Sequence, residues 1–203
     1  MKKLIILSAG GTARELFKLV NKEHEVLGYL DDQIDNAQVI GKIHDFKKFT
    51  DQGISVISAL GSYKNMSRRK EVLNNIPLNA FVSFYSNQTL IYDTLDTNKG
   101  TTIFPYSIIS TNVTLGVHCF IYHNCVVSHD SCIGDYTILS NSVTVSGGVI
   151  IGENSYIGAG STVLEGSSIG DNCIVAAGAT VIDAVPENSI YISKDNIKPN
   201  HYA

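Results

Sequence analysis

The sequence predicts two architectures in series, a small α/β unit on a parallel sheet and then a three-sided parallel β-helix. Three observations predict this. Ile, Leu or Val stands at every sixth position without a break from Ile103 to Val181. A glycine follows that apolar residue at Gly116, Gly134, Gly152 and Gly170, so a second period of three hexads, eighteen residues, lies on the first. Ahead of this repeat the chain alternates β-rich runs with helical patterns, which is how parallel α/β sheets are encoded.

The first element is a buried strand over Lys3–Leu7. Its apolar core, Leu4 to Leu7, is too short for the hydrophobic region of a signal peptide. A helix follows, with Ala13, Leu16, Phe17 and Val20 on one face. The second strand runs over 24–32 and ends in Asp31 and Asp32. A third covers 54–62 and closes at Gly61, a polar helix spans 63–76, and 80–86 reads as a fourth strand. Between first strand and helix, Ser8-Ala9-Gly10-Gly11 occupies the place of a phosphate loop without the spacing of a dinucleotide fingerprint. A half-Rossmann unit remains, with backbone donors at a helix N-terminus and acids at the end of the second strand, features suited to one nucleotide. The plain alternative is an ordinary helix start and a solvated acid pair.

A strict period of six matches neither a helix nor a strand, and it marks a β-helix of short strands joined by turns. Two residues before each apolar position stands a small or β-branched residue, as in Cys119, Cys125, Ser131, Thr137, Val143 and Cys173. A narrow interior requires this, so three of the four cysteines read as buried small hydrophobes and not as ligands or nucleophiles. With eighteen residues per coil, His129, Gly147, Glu165 and Asp183 share one corner of successive coils. His129 is then a base on a turn, Asp130 follows it, and Gly147 one coil above offers a bare backbone N–H, the combination acyl transfer needs. A loop histidine without a role is the alternative.

A net charge of −4 argues against nucleic-acid and anionic-membrane binding. No apolar run approaches the roughly 20 residues of a membrane span, and a cytoplasmic protein is expected. The expected domains are 1–85, a small nucleotide-sugar-binding unit, and 86–203, the β-helix with its C-terminal tail.

The two halves in this order resemble the NeuD and PglD group of hexapeptide-repeat sugar acyltransferases. The resemblance rests on "SAGGTARE" from Ser8 to Glu15, on Gly28-Tyr29-Leu30-Asp31-Asp32, and on Gly61-Ser62 followed by Arg68 and Arg69. It rests most specifically on Ser128-His129-Asp130-Ser131-Cys132-Ile133-Gly134-Asp135. It implies a left-handed coil and a homotrimer with active sites between subunits. It also implies transfer of acetyl from acetyl-CoA to the amine of a nucleotide-linked, UDP-linked, 4-amino sugar in bacterial surface-glycan biosynthesis, with no metal. His129 would be the general base, Asp130 its orienting partner and Gly147 N–H the oxyanion donor. An imidazole base loses its lone pair as the solution becomes mildly acidic, so activity would fall there. Ser146, Gly147, Gly158, Ala159, Ala176, Ala177 and Gly178 would line the course of CoA. Ser8, Gly10, Gly11, Thr12, Asp31, Asp32, Gly61, Ser62 and Arg68 would hold the nucleotide sugar.

The chain departs from that group at four places. Thr12 replaces a loop histidine, Ser128 an acid, and Ile138 a second histidine that contacts the acyl donor, while "YISKDNIKPN" stands in place of a Val-Pro-Ala-Lys signature. O-acetylation of sialic acid or another sugar is a competing reading. So is a γ-type carbonic anhydrase using His118 and His123, although the position for its third histidine holds Val82. A non-catalytic scaffold is the last alternative.

Overall fold

The computed structural model describes residues 1–95 and 100–201. Strands β1 (Lys3–Leu7), β2 (Glu25–Leu30), β3 (Val39–Gly41) and β4 (Ser55–Ser58) form a wholly parallel sheet in the order β3-β2-β1-β4. Helices α1 (Gly11–Val20), α2 (Lys47–Thr50) and α3 (Met66–Asn74) connect or flank them. The unbroken apolar run of β1 is explained by burial on both sides. Leu4 and Ile6 pack with Ala13, Leu16 and Val20 of α1, while Ile5 and Leu7 pack with Val56, Leu73 and Ile76.

The expected fourth strand at 80–86 does not join this sheet. Phe81 makes a single bridge to Val56, and Phe84–Tyr85 pairs instead with Thr102–Ile103 as the first rung of the coil. The fourth strand is β3, whose three residues are too short to show a period in the sequence.

From there the chain winds through two-residue strands that pair in parallel with those one coil on. Thr102, Phe120, Ile138, Tyr156 and Ile174 stack on one face. Ile108, Val126, Thr144, Thr162 and Thr180 stack on a second. Thr114, Cys132, Ile150 and Ser168 form the third. The second residue of each strand is the apolar member of the hexad and points into one continuous core.

Most corners turn through a left-handed residue, at nine of them one that tolerates it, Asn112, Asn124, Asp130, Gly148, Asn154, Gly160, Gly166, Asn172 and Gly178, with φ between 51° and 72°, while Tyr106, His118, Tyr136 and Ser142 take the same conformation at others. Gly134 serves a different need. A Cβ there would lie 2.6 Å from the Glu153 backbone nitrogen in the next coil, so only glycine lets the coils close up.

The small interior row does more than fit. Ser131 Oγ donates to Ser146 O at 2.9 Å and accepts from Val149 N at 3.3 Å, and Thr137 and Ser155 repeat the pattern with Gly152 O and Gly170 O. These hydroxyls tie each coil to the next while meeting buried backbone groups that would otherwise go unpaired. The cysteines of the row are inert: burial pushes the Cys119 thiol up to about 12 and Cys125 up to about 11.

The α/β unit packs on the first face of the coil, where Phe104, Phe120 and Ile138 are fully buried against Leu4, Ile6 and Leu16. Ile138 is therefore a joint between the two parts of the chain, which explains why an apolar residue stands there.

Candidate active site

A cavity of about 330 Å³ opens at the C-terminal ends of the parallel strands. Every residue expected to hold the nucleotide sugar lines it: Ser8, Gly10, Gly11, Thr12, Asp31, Asp32, Gly61, Ser62 and Arg68. The N-terminus of α1 enters the cavity with Gly10 as N-cap, no side-chain cap and no acid in the first turn. Its N–H groups are thus available to an anion. Ser8 turns the loop at φ 82°, and its hydroxyl accepts from Gly10 N.

The two acids at the end of β2 have different work. Asp31 is buried, and its carboxylate accepts backbone N–H groups from Ala9, Gln33 and Ile34, each at 2.8 Å. Burial opposes its ionisation, but these bonds together with one from Ser8 outweigh it and hold the carboxyl below the ordinary range. Asp31 is a brace for the loop. Asp32 is half-buried, accepts from Ile43 N at 3.0 Å and pairs with the exposed Arg68 guanidinium at 3.1 Å.

The coil supplies a residue the sequence reading passed over. Tyr122 lines the same cavity. Its hydroxyl donates to Gly61 O at 3.2 Å and lies 3.1 Å from Thr12 Oγ1, which must then be the donor to it. Burial raises the Tyr122 pKa and keeps the hydroxyl protonated. In the sequence Tyr122 reads only as a turn residue of the hexad, and no local pattern reveals that the α/β unit folds over it.

His129 stands at the corner between the second and third faces, exposed, with Nδ1 2.8 Å from Asp130 Oδ2. Asn112, one coil below, donates to Asp130 Oδ1 at 3.1 Å. The hydrogen bonds from His129 and Asn112 hold the Asp130 carboxyl below the ordinary range. A carboxylate on Nδ1 fixes the tautomer that leaves Nε2 with its lone pair. The corner stacks as expected, with Gly148 N donating to His129 O and Gly166 N to Gly147 O.

Gly147, however, is not an empty gap. It is buried, and a Cβ on it would lie 2.6 Å from His129 Cε1 and 2.8 Å from Nε2. The imidazole itself rests on the bare backbone. Among the described residues the Gly147 N–H has no acceptor.

The expected CoA residues fall on two corners. Ser146 and Gly147 are at the His129 corner. Gly158, Ala159, Ala176, Ala177 and Gly178 lie near the corner between the first and second faces, which also carries His123 and Asn141. There Ala159, Ala177 and Gly178 are exposed, and a Cβ at Gly160 or Gly178 would meet open space. The second face joins these two corners. None of 104–110, 122–128, 140–146, 158–164 or 176–182 contains Asp, Glu, Lys or Arg. His118 and His123 sit at different corners of one coil, and His118 is buried, its pKa pushed down to about 4 chiefly by that burial. Among the described residues no group of three or more His, Cys, Asp or Glu side chains is arranged to hold a metal ion. No helix among them is long and apolar enough to cross a membrane.

Residues 148–183 match the family described as bacterial transferase hexapeptide (six repeats). No curated relative matches the chain. Among solved structures it is similar to a mutant of GDP-perosamine N-acetyl transferase from Caulobacter crescentus in complex with CoA and GDP-perosamine. That likeness has a TM-score of 0.86 and 22% identity, over 98% of this chain and 97% of that one. It is similar also to the acetyltransferase domain of PglB from Neisseria gonorrhoeae in complex with acetyl coenzyme A, with TM-score 0.66 and 17% identity over 98% of both chains. A third is WeeI from Acinetobacter baumannii, with TM-score 0.59 and 19% identity over 98% of this chain and 100% of that one. Both parts of the chain, in this order, thus share the fold of those proteins.

Proposed function

We propose that the chain transfers an acetyl group from acetyl-CoA to the amine of a nucleoside-diphosphate-linked amino sugar. The observation that carries this reading is the pairing of two sites. One is a cavity with an uncapped helix N-terminus at the ends of a parallel sheet, and the other is an oriented imidazole on a hexapeptide coil. The proteins of the same fold named with CoA and GDP-perosamine support it.

In this mechanism His129 Nε2 takes a proton from the attacking amine as the N–C bond forms, and returns it to the departing sulfur as the C–S bond breaks. Asp130 holds the ring through Nδ1 and stabilises the imidazolium, which is the triad arrangement without a covalent nucleophile. Gly147 seats the ring and offers its unpaired N–H to the negative charge developing on the acyl oxygen. Acetyl-CoA supplies the activated acyl group when bound. The exposed small residues Ala159, Ala177 and Gly178 would give it an unobstructed path.

The α/β unit covers the first face, whereas His129 lies at the corner opposite that face. The cavity and the base of one chain are therefore on different sides of the prism. A homotrimer, left-handed in coil as the sequence resemblance implies, resolves this by setting the cavity side of one subunit beside the His129 corner of the next. The charge-free second face suits that packing, because interface cores are depleted of charge. The division into a nucleotide-sugar unit over 1–85 and an acyl-transfer unit over 86–203 belongs to the same proposal, with Phe84–Tyr85 at the joint.

The test is thiol release from acetyl-CoA against a panel of UDP- and GDP-linked 4-amino sugars, with free sialic acid alongside. Release with an amino sugar, lost by roughly 10²–10⁴-fold in His129→Ala, is expected. Release with sialic acid alone would make the protein an O-acetyltransferase, and undiminished release in His129→Ala would remove that residue from the mechanism.

A further inference from the structure

Among the described residues of the α/β unit, Arg69 is the one whose charge is buried against the coil by hydrogen bonds alone. It projects from α3 with 2% of its surface exposed. Nε donates to Leu60 O at 2.6 Å, Nη1 to Tyr136 O at 2.7 Å and Nη2 to His118 O at 2.5 Å. Burial lowers its pKa only to about 10, so it is charged at neutral pH. The titratable groups around it include the Cys119 thiol, the Tyr122 and Tyr136 phenols and the His118 imidazole, and among the described residues it makes no salt bridge to a carboxylate.

Two of its three acceptors belong to left-handed corners of successive coils, His118 at φ 55° and Tyr136 at φ 60°. A corner residue gives its N–H to the coil below, as Tyr136 N does to Val117 O, but its carbonyl stands outside the strand ladder. Where the α/β unit covers this edge, such carbonyls would be buried unpaired without a donor. Further along the same edge the carbonyl of Asn172 is met by Asn200 Nδ2 at 2.7 Å. The third acceptor, Leu60 O, belongs to the turn that closes the cavity. The next carbonyl, Gly61 O, takes its hydrogen bond from Tyr122 of the coil at 3.2 Å. Two consecutive carbonyls of the cavity wall are thus tied to the coil by independent donors. Only a rigid fork reaches three carbonyls in three directions, and a lysine ammonium cannot do so from one stem.

We propose that Arg69 is a positioning residue for the acceptor: it fixes the Ala59–Ser62 wall of the cavity to the coil and so sets where a nucleotide sugar sits relative to the transfer edge. This rests on reading the cavity as the nucleotide seat. The experiment is calorimetric titration of the full chain with UDP, GDP and CoA, for wild type, Arg69→Lys and Tyr122→Phe. Arg69→Lys is expected to weaken nucleoside-diphosphate binding about tenfold or more, and Tyr122→Phe about threefold, while the CoA affinity moves less than about twofold in either. Equal losses for nucleotide and CoA, or no loss of nucleotide affinity, would overturn the proposal. Should Arg69→Lys fail to fold, Arg69→Gln, which keeps an amide donor at that position, is read by the same criterion. Wild type that binds CoA but neither nucleotide would overturn the cavity reading and this inference with it. Selective nucleotide loss in the variants, beside a wild type that transfers no acetyl group, would leave the inference standing and remove the proposed function.

Discussion

The imidazole of His129 rests on the backbone of Gly147 in the next coil, close enough that a Cβ there would lie 2.6 Å from its Cε1. The ring is thereby placed from two sides, by Asp130 at Nδ1 and by the bare backbone of the next coil. Gly147→Ala should push the ring out of position. Acyl transfer is expected to fall about 10–10²-fold with the coil intact, since a displacement near 1 Å suffices for such a loss. Gly148→Ala is the control: its Cβ meets open space, but at φ 65° it strains the backbone. It should cost about 1–2 kcal/mol of stability and leave turnover near wild type. Initial rates and thermal midpoints of the two variants separate the effects.

Asp130 titrates below the ordinary carboxylate range because His129 and Asn112 donate to it. A carboxyl depressed in the folded state stabilises the fold above its unfolded pKa, and the contribution is lost as pH falls through the depressed folded value. No loss from this group is therefore expected between pH 5 and 8. Asn112→Ala removes one donor and should move the Asp130 midpoint upward, toward the ordinary value. Carbon-13 titration of the Asp130 carboxyl reads it, and an unmoved midpoint would mean that Asn112 contributes nothing.

Asp31 and Asp32 are adjacent in sequence and should fail differently. Asp31→Asn replaces one acceptor oxygen by a donor amide facing backbone N–H groups, and about 1–3 kcal/mol of stability should go. Asp32→Asn breaks a partly exposed pair with Arg68, so stability should barely change. Its effect should appear instead in nucleoside-diphosphate affinity. Thermal midpoints and nucleotide titrations on both variants check the division of roles.

Ser131→Ala leaves Ser146 O and Val149 N without their shared partner in the interior and should lower stability by about 1–3 kcal/mol. Ser131→Cys should be milder, because Cys125 in the same row places its sulfur 3.0 Å from Ser140 O. A thermal midpoint for alanine no lower than for cysteine would show that the row serves only to fit.

The coil was legible because its period repeats through the chain, and a repeat needs no tertiary information to be seen. The corner shared by His129 and Gly147 followed from counting alone. The cavity lining was legible through the loop at Ser8–Gly11 and the acids after β2, since strand ends of a parallel sheet converge there. Contacts between the two parts of the chain were not. Tyr122 reaches the cavity turn from 61 residues away, Arg69 joins that turn to coil corners 49 and 67 residues on, and Ile138 looks like a lost histidine until its burial beneath the α/β unit is seen. The strand at Val39–Gly41 escaped because three residues carry no period. That Asp31 is a buried acceptor of backbone N–H groups while its neighbour Asp32 is partly exposed was not legible, because the two have the same one-letter code.

The stacking of each residue on its counterpart in the next coil has a genetic consequence. Register is carried forward through the repeat, so one residue deleted within a strand would rotate every later position by one place. Ser155, Ser161 and Cys173 would then leave the interior while their neighbours entered it. Duplication of one whole eighteen-residue coil would preserve every side-chain row and lengthen the prism by only about 4.8 Å. Viable length variation in this half of the gene should therefore come as whole coils, or as loops extruded at the corners.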